Sequence, residues 1–573
     1  MPDRLRKWNG WGYEGEGIPT ERVARWLKAV EPWLRVSPKD YQPPVPLESL
    51  QIPPSRIALE IPGFQGALLA TDYERALHAA GRSFGDLVRL RTGQDLCFPD
   101  AVAYPEDEAD LLRLLEVAEH RSIALIPYGG GTSVVGGVEP AVPPGFQGVL
   151  SVDLARMNRI RFLDPSGRRV RAQAGIRGPD LEEALRAHGL AFRHYPQSFQ
   201  MSTLGGWIAT RAAGHFSTAW GRIEHRVESL RVLTPRGVLE TREVPASASG
   251  PDVRSWVVGS EGAFGFITEA VVRAVRPPVA KRAGGFRFPE FSAGLEAMRR
   301  ILQAGLTPAV LRLLDEYEVA ISAALAGHPL EPGALLHISL EIEDLEDAHR
   351  VEAEWRSALR WIERAGGIPA PEAVETWKRA YFEQPYWRDV MIDFGLLLDT
   401  VETAVPWSRV EETVRTVRER LIQRIDRWSP VGGVMCRVTH GYPDGCALYF
   451  TFFARPSREA LREAWRDLQR TALEAFLECG GTITHQPWNR TGFPIVPGRR
   501  AWPPGTGSPA AREGGPGSGR DHEPGRAGGP RAARVVRAAP KDRFSSGLFS
   551  LTLLQQAPLE NRKARTLGCV PKS

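Results

Sequence analysis

The segment PYGGGTSVVGG, residues 127–137, constrains the fold of this chain most strongly. It follows a short apolar run at residues 123–126 that predicts a buried strand. Five glycines in eleven residues remove the Cβ atoms that keep other groups away from the backbone. Because glycine also accepts positive φ, successive N–H groups can converge on one anion, and Thr132 and Ser133 add hydroxyl donors. The segment predicts a pyrophosphate site; the alternative is a glycine-rich surface turn.

Two common phosphate motifs are excluded, because the segment matches neither GxGxxG nor GxxxxGK[ST]. A nicotinamide site of the Rossmann type and a P-loop are therefore not expected. The length of 573 residues allows two or three domains, and a formal net charge of +5 is too small to indicate nucleic-acid binding.

Cysteine usage and the absence of apolar segments predict a cytoplasmic protein. The five cysteines are scattered without a CxxC pair, which argues against a metal site or a disulfide framework and favours a reducing compartment. The N-terminus has no apolar signal region, and no run of about 18 apolar residues predicts a membrane span. Peripheral contact with a membrane and formation of a homodimer stay open.

The order of predicted elements indicates an α/β region after an N-terminal helical segment. Helices are predicted at residues 21–34 and 73–80 from apolar residues at helical spacing. Alternation of strands and helices begins near residue 98 and favours a β-α-β arrangement. The predicted elements there are strands at 101–105, 123–126, 148–154 and 170–176, and helices from 107 and at 181–190.

Two further glycine clusters follow, at residues 194–214 and 257–270. In the second cluster, Ser202 and Thr203 precede a glycine pair, which repeats the small, donor-rich composition of residues 127–137. One or two such clusters are common turns in any α/β domain. Three clusters beside predicted strands favour an extended cofactor that carries phosphate.

The glycine clusters resemble the FAD-binding domain of the vanillyl-alcohol oxidase type, also named for p-cresol methylhydroxylase (PCMH). The matching motifs are PEDEADLLRLLEVAEHRSIALIPYGGGTSVVGG (105–137), STLGGWIATRAAG (202–214) and VVGSEGAFGFITEA (257–270). Three other motifs resemble the alkyldihydroxyacetonephosphate synthase (alkylglycerone-phosphate synthase) family. They are KWNGWGY (7–13), VETAVPW (401–407) and CRVTHGYPDGCALYF (436–450).

The resemblance implies an α+β/α/β fold in which a two-subdomain PCMH-type FAD-binding domain precedes an α+β substrate (cap) domain. The expected division is an N-terminal helical segment at 1–95, the FAD-binding domain at 96–276, the cap domain at 277–485 and an atypical tail at 486–573. Within the cap domain, helices are predicted at 288–304, 345–365 and 408–427, and strands at 334–342 and 446–454.

The resemblance also implies which residues bind FAD. The first glycine segment wraps the pyrophosphate, the second contacts the flavin and the third closes the adenine side. The implied residues are Pro127, Tyr128, Gly129, Gly130, Gly131, Thr132, Ser133, Pro196, Gln197, Ser198, Ser202, Thr203, Gly205, Gly206, Ala209, Ala213, Gly214, Gly259, Glu261, Gly262, Gly265 and Ile267. Some relatives attach FAD through a histidine in the first segment. This chain has none there, so noncovalent FAD is expected.

The activity implied by the resemblance belongs to ether-lipid synthesis. The acyl group of acyl-dihydroxyacetone phosphate is exchanged for a long-chain fatty alcohol, with no net redox change at the flavin. Such a site needs cations for the phosphate, a proton-transfer group and an apolar tunnel. The alternatives are an FAD-linked oxidase or dehydrogenase of a 2-hydroxyacid, and a flavin-binding protein without catalysis.

Two arginines match functional positions of the family. Arg388 matches the arginine on the phosphate side, and its guanidinium can hold a phosphate through two parallel hydrogen bonds. Its alternative role is a salt bridge to Asp389 or another carboxylate. Arg312 matches a functional arginine near the flavin, and its alternative role is an ion pair, with Asp315 as the expected partner.

Proton-transfer candidates also come from the resemblance. Tyr449 matches the active-site tyrosine, although its sequence pattern alone indicates a core aromatic residue of a strand. A phenol with an ordinary pKa of about 10 needs assistance from its neighbours to transfer a proton. His194 matches a histidine near the flavin, whereas His440 is interpreted as structural.

The resemblance ends at His485. The family carries three histidines in a row after a stretch like GGTIT, and the run supplies imidazole to the active site. This chain keeps only the first, His485, which the resemblance makes a catalytic candidate, before Gln486. The following residues are dominated by Gly, Pro, Arg and Ala, a composition that predicts disorder. Either this tail is an extension of this lineage, or a shift of reading frame near codon 486 replaced the native end. We favour the second, because the pattern is lost inside a motif.

Overall fold

The fold is seen in a computed structural model that describes residues 4–326, 332–371 and 382–484. The described helices are Thr20–Leu34, Asp72–Leu77, Phe84–Thr92, Glu108–Arg121, Gly178–Arg186, Leu204–Ala209, Ser217–Trp220, Ile223–Arg226, Arg254–Val257, Phe291–Gln303, Glu316–Ala326, Arg350–Arg364, Gln384–Asp393, Val410–Ile425 and Leu461–Glu478. The described strands are β1 (Ala67–Leu69), β2 (Ala101–Tyr104), β3 (Ile123–Tyr128), β4 (Gly148–Asp153), β5 (Ile160–Asp164), β6 (Arg169–Gln173), β7 (Val227–Thr234), β8 (Gly237–Glu240), β9 (Phe266–Arg273), β10 (Ala280–Phe288), β11 (Val310–Leu314), β12 (Ala334–Ile342), β13 (Ile368–Pro369), β14 (Leu397–Pro406), β15 (Gly432–Gly441) and β16 (Gly445–Ala454).

The first sheet has the order β1-β2-β4-β3 and contains the predicted β-α-β unit. β2, β4 and β3 are parallel, and helix Glu108–Arg121 connects β2 to β3. The helix begins after Asp107, whose carboxylate accepts hydrogen bonds from the N–H groups of Ala109 and Asp110 at 2.9 and 3.1 Å. This side chain satisfies N–H groups that have no partner within the helix, so it stabilises the start predicted from the acidic residues.

The second sheet is antiparallel with the order β5-β6-β9-β7-β8. β5 was not predicted from the sequence, because its residues are half-buried or exposed and lack a clear apolar alternation. Leu111, Leu150, Val170 and Leu230 belong to one buried cluster that joins the two sheets. The shared core makes the two sheets the two halves of the predicted PCMH-type unit.

The third sheet is antiparallel with the order β13-β10-β12-β11-β15-β16-β14. One face packs against the helices Phe291–Gln303, Arg350–Arg364, Val410–Ile425 and Leu461–Glu478, which share its buried cluster. The rings of Phe450 on β16 and Phe476 on the last helix are 5.8 Å apart. Burial of each such side chain stabilises the fold by about 1.5–3 kcal/mol. The α+β prediction for this part of the chain is confirmed, and its other face is free to line a site.

The N-terminal segment 7–13 packs between the first glycine segment and helix Gln384–Asp393. The Trp11 N–H donates to Asp389 Oδ2 at 2.8 Å. The preceding Arg6 donates to the Gly130 carbonyl at 2.7 Å. Gly12 has φ +80°, and a Cβ at this position lies 2.6 Å from the Tyr386 hydroxyl. The glycines of KWNGWGY are therefore needed because the segment lies flush against a helix.

Several sequence predictions differ from the structure or lie outside it. The helix expected at 181–190 is Gly178–Arg186. The helix expected at 73–80 is shorter, Asp72–Leu77. The second glycine cluster begins helix Leu204–Ala209 and does not adjoin a named strand. His485 and the tail 486–573 lie outside the described residues.

Candidate functional site

One cavity of about 1310 Å³ lies between the glycine clusters and the third sheet. Ligand sites usually enclose about 300–1,000 Å³, so this cavity has room for a large cofactor and a second molecule. We call its two sides the glycine wall, formed by residues 127–138, 196–214 and 261–267, and the sheet wall, formed by side chains of β10, β11, β12, β14, β15 and β16. Every predicted FAD-binding residue except Gly259 lines the cavity.

The first glycine segment is buried against the second and is not a surface turn. A Cβ on Gly129 lies 2.4 Å from Thr203 Oγ1, and one on Gly130 lies 2.2 Å from the Met201 carbonyl oxygen. Gly131 has φ +65°, and its Cβ meets the Tyr128 hydroxyl at 2.0 Å. Real Cβ atoms cannot approach other atoms so closely. The glycines are therefore required for two stretches of backbone to touch.

The same segment offers unused hydrogen-bond donors to the cavity. In the part of the chain that the structure describes, no hydrogen bond uses the backbone N–H groups of Gly130, Gly131 and Thr132. The Gly130 carbonyl is occupied by Arg6, which donates to it at 2.7 Å. Successive free N–H groups in a turn form an anion-binding concavity. This arrangement fits the pyrophosphate of FAD.

The second and third clusters complete the glycine wall. Thr203 caps helix Leu204–Ala209 by accepting the Gly206 N–H at 3.2 Å. Gly262 has φ +84° and lies close to Pro127, which its Cβ approaches to 3.1 Å. Gly259 is the exception among the predicted residues, because it packs under Arg211 instead of lining the cavity.

The sheet wall is a set of side chains in cross-strand register. One row runs across six strands, because each residue pairs directly with the next on its neighbouring strand. The row is Arg287, Leu335, Leu314, Arg437, Tyr449 and Glu402. A second directly opposed pair is formed by His337 on β12 and Arg312 on β11. Each lies two residues along its strand from the member of the row, Leu335 or Leu314. All eight side chains line the cavity.

Tyr449 lies on β16 in the sheet wall and lines the cavity. The Arg437 guanidinium carbon is 4.8 Å from the centre of its ring. Burial raises the pKa of the Tyr449 phenol, the Glu402 carboxyl adds to the rise, and Arg437 partly offsets it. The phenol is therefore protonated at neutral pH and can donate a proton, whereas loss of that proton depends on Arg437.

Arg388 lines the cavity and also forms an ion pair. Its Nη2 is 3.4 Å from Oδ1 of the buried Asp399. Asp399 Oδ2 accepts hydrogen bonds from Trp465 at 2.7 Å and Gln469 at 3.0 Å. The predicted alternative partner, Asp389, accepts the Trp11 N–H instead. A guanidinium has five N–H donors, so one long ion pair leaves donors for a phosphate.

Arg312 is buried on β11 and faces the cavity. Asp315, the expected partner of Arg312, makes its ion pair with another arginine, Arg418. It also accepts hydrogen bonds from the backbone N–H groups of Glu318 and Cys436, both at 2.7 Å. Asp315 lies past the end of β11, at the start of a helix, so it does not share the face of Arg312. Arg312 instead stabilises the carboxylates of Glu318 and Glu402 electrostatically.

Two histidines beside the second glycine cluster, His194 and His440, are buried and neutral. Burial lowers the pKa of His194 to about 3 and that of His440 to about 3. His194 does not line the cavity; it packs on Trp207, with ring centres 5.1 Å apart. His440 does line it, and its Nε2 is 3.1 Å from the Gly214 carbonyl oxygen. His485 cannot be placed, because it is outside the described residues.

Sequence reasoning missed several charged residues of the cavity, namely Arg287, Arg437 and Glu402 of the sheet wall and Glu318 on helix Glu316–Ala326. A usable signal was present in β14, where Thr400 and Glu402 interrupt an apolar strand at a spacing of two. Polar residues at this spacing share one face of a strand. Within the described ranges, no helix combines the length and the apolar character that crossing a membrane requires.

Two family models match the chain. The FAD binding domain matches residues 99–242, and the C-terminal domain of FAD linked oxidases matches residues 277–486. The glycine wall lies within or just beyond the first match, and the sheet wall lies within the second. FAD is therefore the cofactor that both the matches and the geometry of the glycine wall support.

Full-length similarity is found to alkyldihydroxyacetonephosphate synthases. The protein of Trypanosoma brucei brucei is 30% identical over 536 residues, which covers 86% of this chain and 87% of that protein. The protein of Dictyostelium discoideum is 29% identical over 443 residues, covering 74% and 72%. A solved structure of alkyldihydroxyacetonephosphate synthase matches with a TM-score of 0.72 and 26% identity, covering 84% of this chain and 94% of that one.

Proposed function

The chain belongs to the alkyldihydroxyacetonephosphate synthase family, and on that premise we infer that it is an FAD-dependent transferase of ether-lipid synthesis. It replaces the acyl group of acyl-dihydroxyacetone phosphate with a long-chain fatty alcohol. The observation that carries this inference is 30% identity extending over 86% of the chain. When bound, FAD supplies an electron-accepting ring, and the exchange leaves no net redox change.

We propose that the substrate phosphate is bound by Arg312 of the sheet wall and by Arg388, which lies on helix Gln384–Asp393. Both arginines line the cavity. Hydrogen bonds between a guanidinium and a phosphate are charge-assisted and have geometric specificity. The buried carboxylate of Asp399 supports this role, because it holds Arg388 in one orientation before substrate arrives.

Tyr449 is proposed as the group that transfers a proton at the reacting carbon. Its support is its place on the sheet wall and the cation beside its ring. His194 is proposed to have an indirect role, because it does not line the cavity itself. It contacts Trp207 and Gly214, which do line the cavity, and it would position these two residues beside the flavin. The role of His485 stays a prediction from the sequence.

The lipid chains are proposed to occupy the apolar end of the cavity. That end is lined by Trp26, Ala29, Val319, Trp387 and Met391. An alkyl chain gains about 0.8 kcal/mol for each CH₂ group that it buries. Noncovalent attachment of FAD, the domain division at residues 95, 276 and 485, cytoplasmic location, peripheral membrane contact and homodimer formation stay predictions from the sequence.

The deciding experiment is an ether-formation assay on the purified full chain loaded with FAD, with acyl-dihydroxyacetone phosphate and labelled hexadecanol. Labelled alkyl product supports the function. If no product forms, the assay is repeated on a chain with the three-histidine end restored after residue 484. Product from that chain alone shows that the tail impairs a synthase.

The rival oxidase or dehydrogenase is tested in the same preparation. A 2-hydroxyacid that bleaches the flavin without oxygen, with hydrogen peroxide formed in air, favours the rival. If neither chain forms an ether and this bleaching occurs, the synthase proposal is wrong.

A further inference from the structure

Glu402 is a carboxyl group on the sheet wall to which the proposed function gives no role. Its side chain is only 2% exposed, and it lines the cavity. It lies directly opposite Tyr449 in the pair β14–β16, and Tyr449 lies directly opposite Arg437 in the pair β15–β16. Directly opposed residues have Cβ atoms about 4.5–5.5 Å apart. The phenol therefore stands between an acid on one side and a cation on the other.

Arg437 is held in place on its side of the phenol. Its Nε is 3.2 Å from Glu318 Oε1, and its Nη2 donates to Thr451 Oγ1 at 3.4 Å. Its guanidinium carbon lies 4.8 Å from the centre of the Tyr449 ring. With Arg437 fixed and charged, Glu402 is the member of the row whose charge can change near neutral pH.

Several elements direct charged or titratable groups at Glu402. Arg312 comes from β11, Arg437 from β15 and Arg222 from the residue before helix Ile223–Arg226, and all three favour its ionised form. The phenols of Tyr442 and Tyr449 also face it. Burial outweighs the three arginines and raises the pKa of Glu402 to about 8. The carboxyl group is therefore mainly neutral at pH 7.

We propose that Glu402 is a positioning residue that controls how readily Tyr449 gives up its proton. The inference rests on the proposed function, in which Tyr449 exchanges a proton with the substrate. When Glu402 is neutral, charge that develops on the phenol oxygen faces Arg437 and is stabilised. When Glu402 has lost its proton to solvent, the same charge faces a carboxylate, and the O–H bond breaks less readily.

The expected signature is a loss of activity on the alkaline side. Above pH 8, each unit of pH lowers the neutral fraction of Glu402 about tenfold, and kcat follows it. This decline of kcat above pH 8 is the alkaline limb of the pH profile. A residue that only supports the fold does not produce such a limb. Glu402→Gln keeps the shape of the neutral carboxyl group and cannot ionise, so the limb disappears in that variant.

The test measures kcat for ether formation between pH 6 and pH 10 on FAD-loaded full chains. We expect the wild-type rate at pH 9 to fall to about a tenth of its value at pH 7, and Glu402→Gln to hold its rate. Glu402→Asp is the matched control, because it keeps a titrating carboxyl group and hence the limb. A readout independent of activity is ¹³C NMR of tyrosine labelled at Cζ, with the Tyr449 signal assigned from Tyr449→Phe. Its titration midpoint moves to lower pH in Glu402→Gln.

The outcomes separate this inference from the proposed function. The same alkaline limb and the same Tyr449 midpoint in wild type and Glu402→Gln overturn the role of Glu402 and leave the synthase intact. If the wild-type chain forms no ether at any pH, the kinetic test is carried out on the chain with the restored three-histidine end. If that chain forms no ether either, the proposed function is contradicted, and the NMR midpoints then decide the inference alone. If Glu402→Gln fails to bind FAD, Glu402→Asp decides, because an aspartate carboxyl group has a lower reference pKa than a glutamate and lies farther from the phenol. A limb whose midpoint shifts supports the role, and a limb at the wild-type midpoint overturns it.

Discussion

The two walls of the cavity are built from the chain in opposite ways. The glycine wall consists of continuous segments whose backbones touch, as Gly130 does at the Met201 carbonyl. The sheet wall consists of single side chains at alternate positions on six strands, drawn together by register. The glycine wall presents N–H dipoles, and the sheet wall presents full charges. One wall therefore tolerates almost no added atoms, and the other depends on the balance of its charges.

The charged wall carries a cost that the glycine wall avoids. Burying an ion is expensive unless a partner and hydrogen bonds compensate it. Arg437 of the sheet wall is compensated by Glu318 at 3.2 Å, and Arg388 on helix Gln384–Asp393 is compensated by Asp399 at 3.4 Å. We therefore expect changes in the glycine wall to act on cofactor binding, and changes in the sheet wall to act on turnover or on substrate affinity.

The largest effect is expected from Gly130→Ala in the glycine wall. Its Cβ lies 2.2 Å from the Met201 carbonyl oxygen and 2.7 Å from the Ser202 Cα, and neither backbone atom can move freely. We expect the purified protein to lose its bound FAD, measured by absorbance at the flavin band, and to lose about 1–3 kcal/mol of stability. The control is Gly17→Ala, whose Cβ meets nothing nearer than 3.9 Å. Full flavin content in Gly130→Ala contradicts the close contact.

Next in size is Tyr449→Phe in the sheet wall. Phenylalanine fills the same space but carries no proton, so kcat is expected to fall by about 10²–10⁴-fold while FAD content is unchanged. Steady-state ether formation and the flavin spectrum measure the two quantities. Tyr41→Phe, at a residue 49% exposed, is the matched control. Nearly normal turnover in Tyr449→Phe removes this residue from proton transfer.

A smaller effect is expected from Arg388→Ala, which removes a charged donor that helix Gln384–Asp393 presents to the cavity. We expect KM for acyl-dihydroxyacetone phosphate to rise about 10–100-fold, because a hydrogen bond to a charged group contributes about 1.5–3 kcal/mol. FAD content should not change, and loss of flavin would instead show that the arginine is structural. Arg409→Ala serves as the control, since its side chain is 53% exposed and pairs with Glu412.

The smallest effect is expected from Gly12→Ala, which touches neither wall directly. Gly12 has φ +80°, and its Cβ meets Tyr386 on the helix that carries Arg388. Displacement of that helix is expected to raise KM several-fold at a stability cost of about 1 kcal/mol. Thermal unfolding and substrate titration measure both. An unchanged KM with lower stability shows that the N-terminal segment supports the fold without positioning Arg388.

The comparison explains why prediction succeeded unevenly. The strands β12 and β16 and the helices around them were predicted closely, because their apolar patterns are local. The partner of Arg312 was predicted wrongly, because Asp315 is near in sequence but lies beyond the end of β11. His440 was interpreted as structural, yet it lines the cavity beside Gly214. Closeness of two residues in the sequence does not show whether their side chains lie on the same face of a strand.

The sequence by itself determined the glycine segments, part of the order of helices and strands, and the resemblance to the family, because each of these depends on contiguous residues. Only the tertiary structure decided that Glu402, Tyr449 and Arg437 form one row and that Arg388 pairs with Asp399. The physical reason is register. A shift of one residue between two strands turns every side chain to the opposite face, and that register is set by packing across the whole sheet rather than by any single strand.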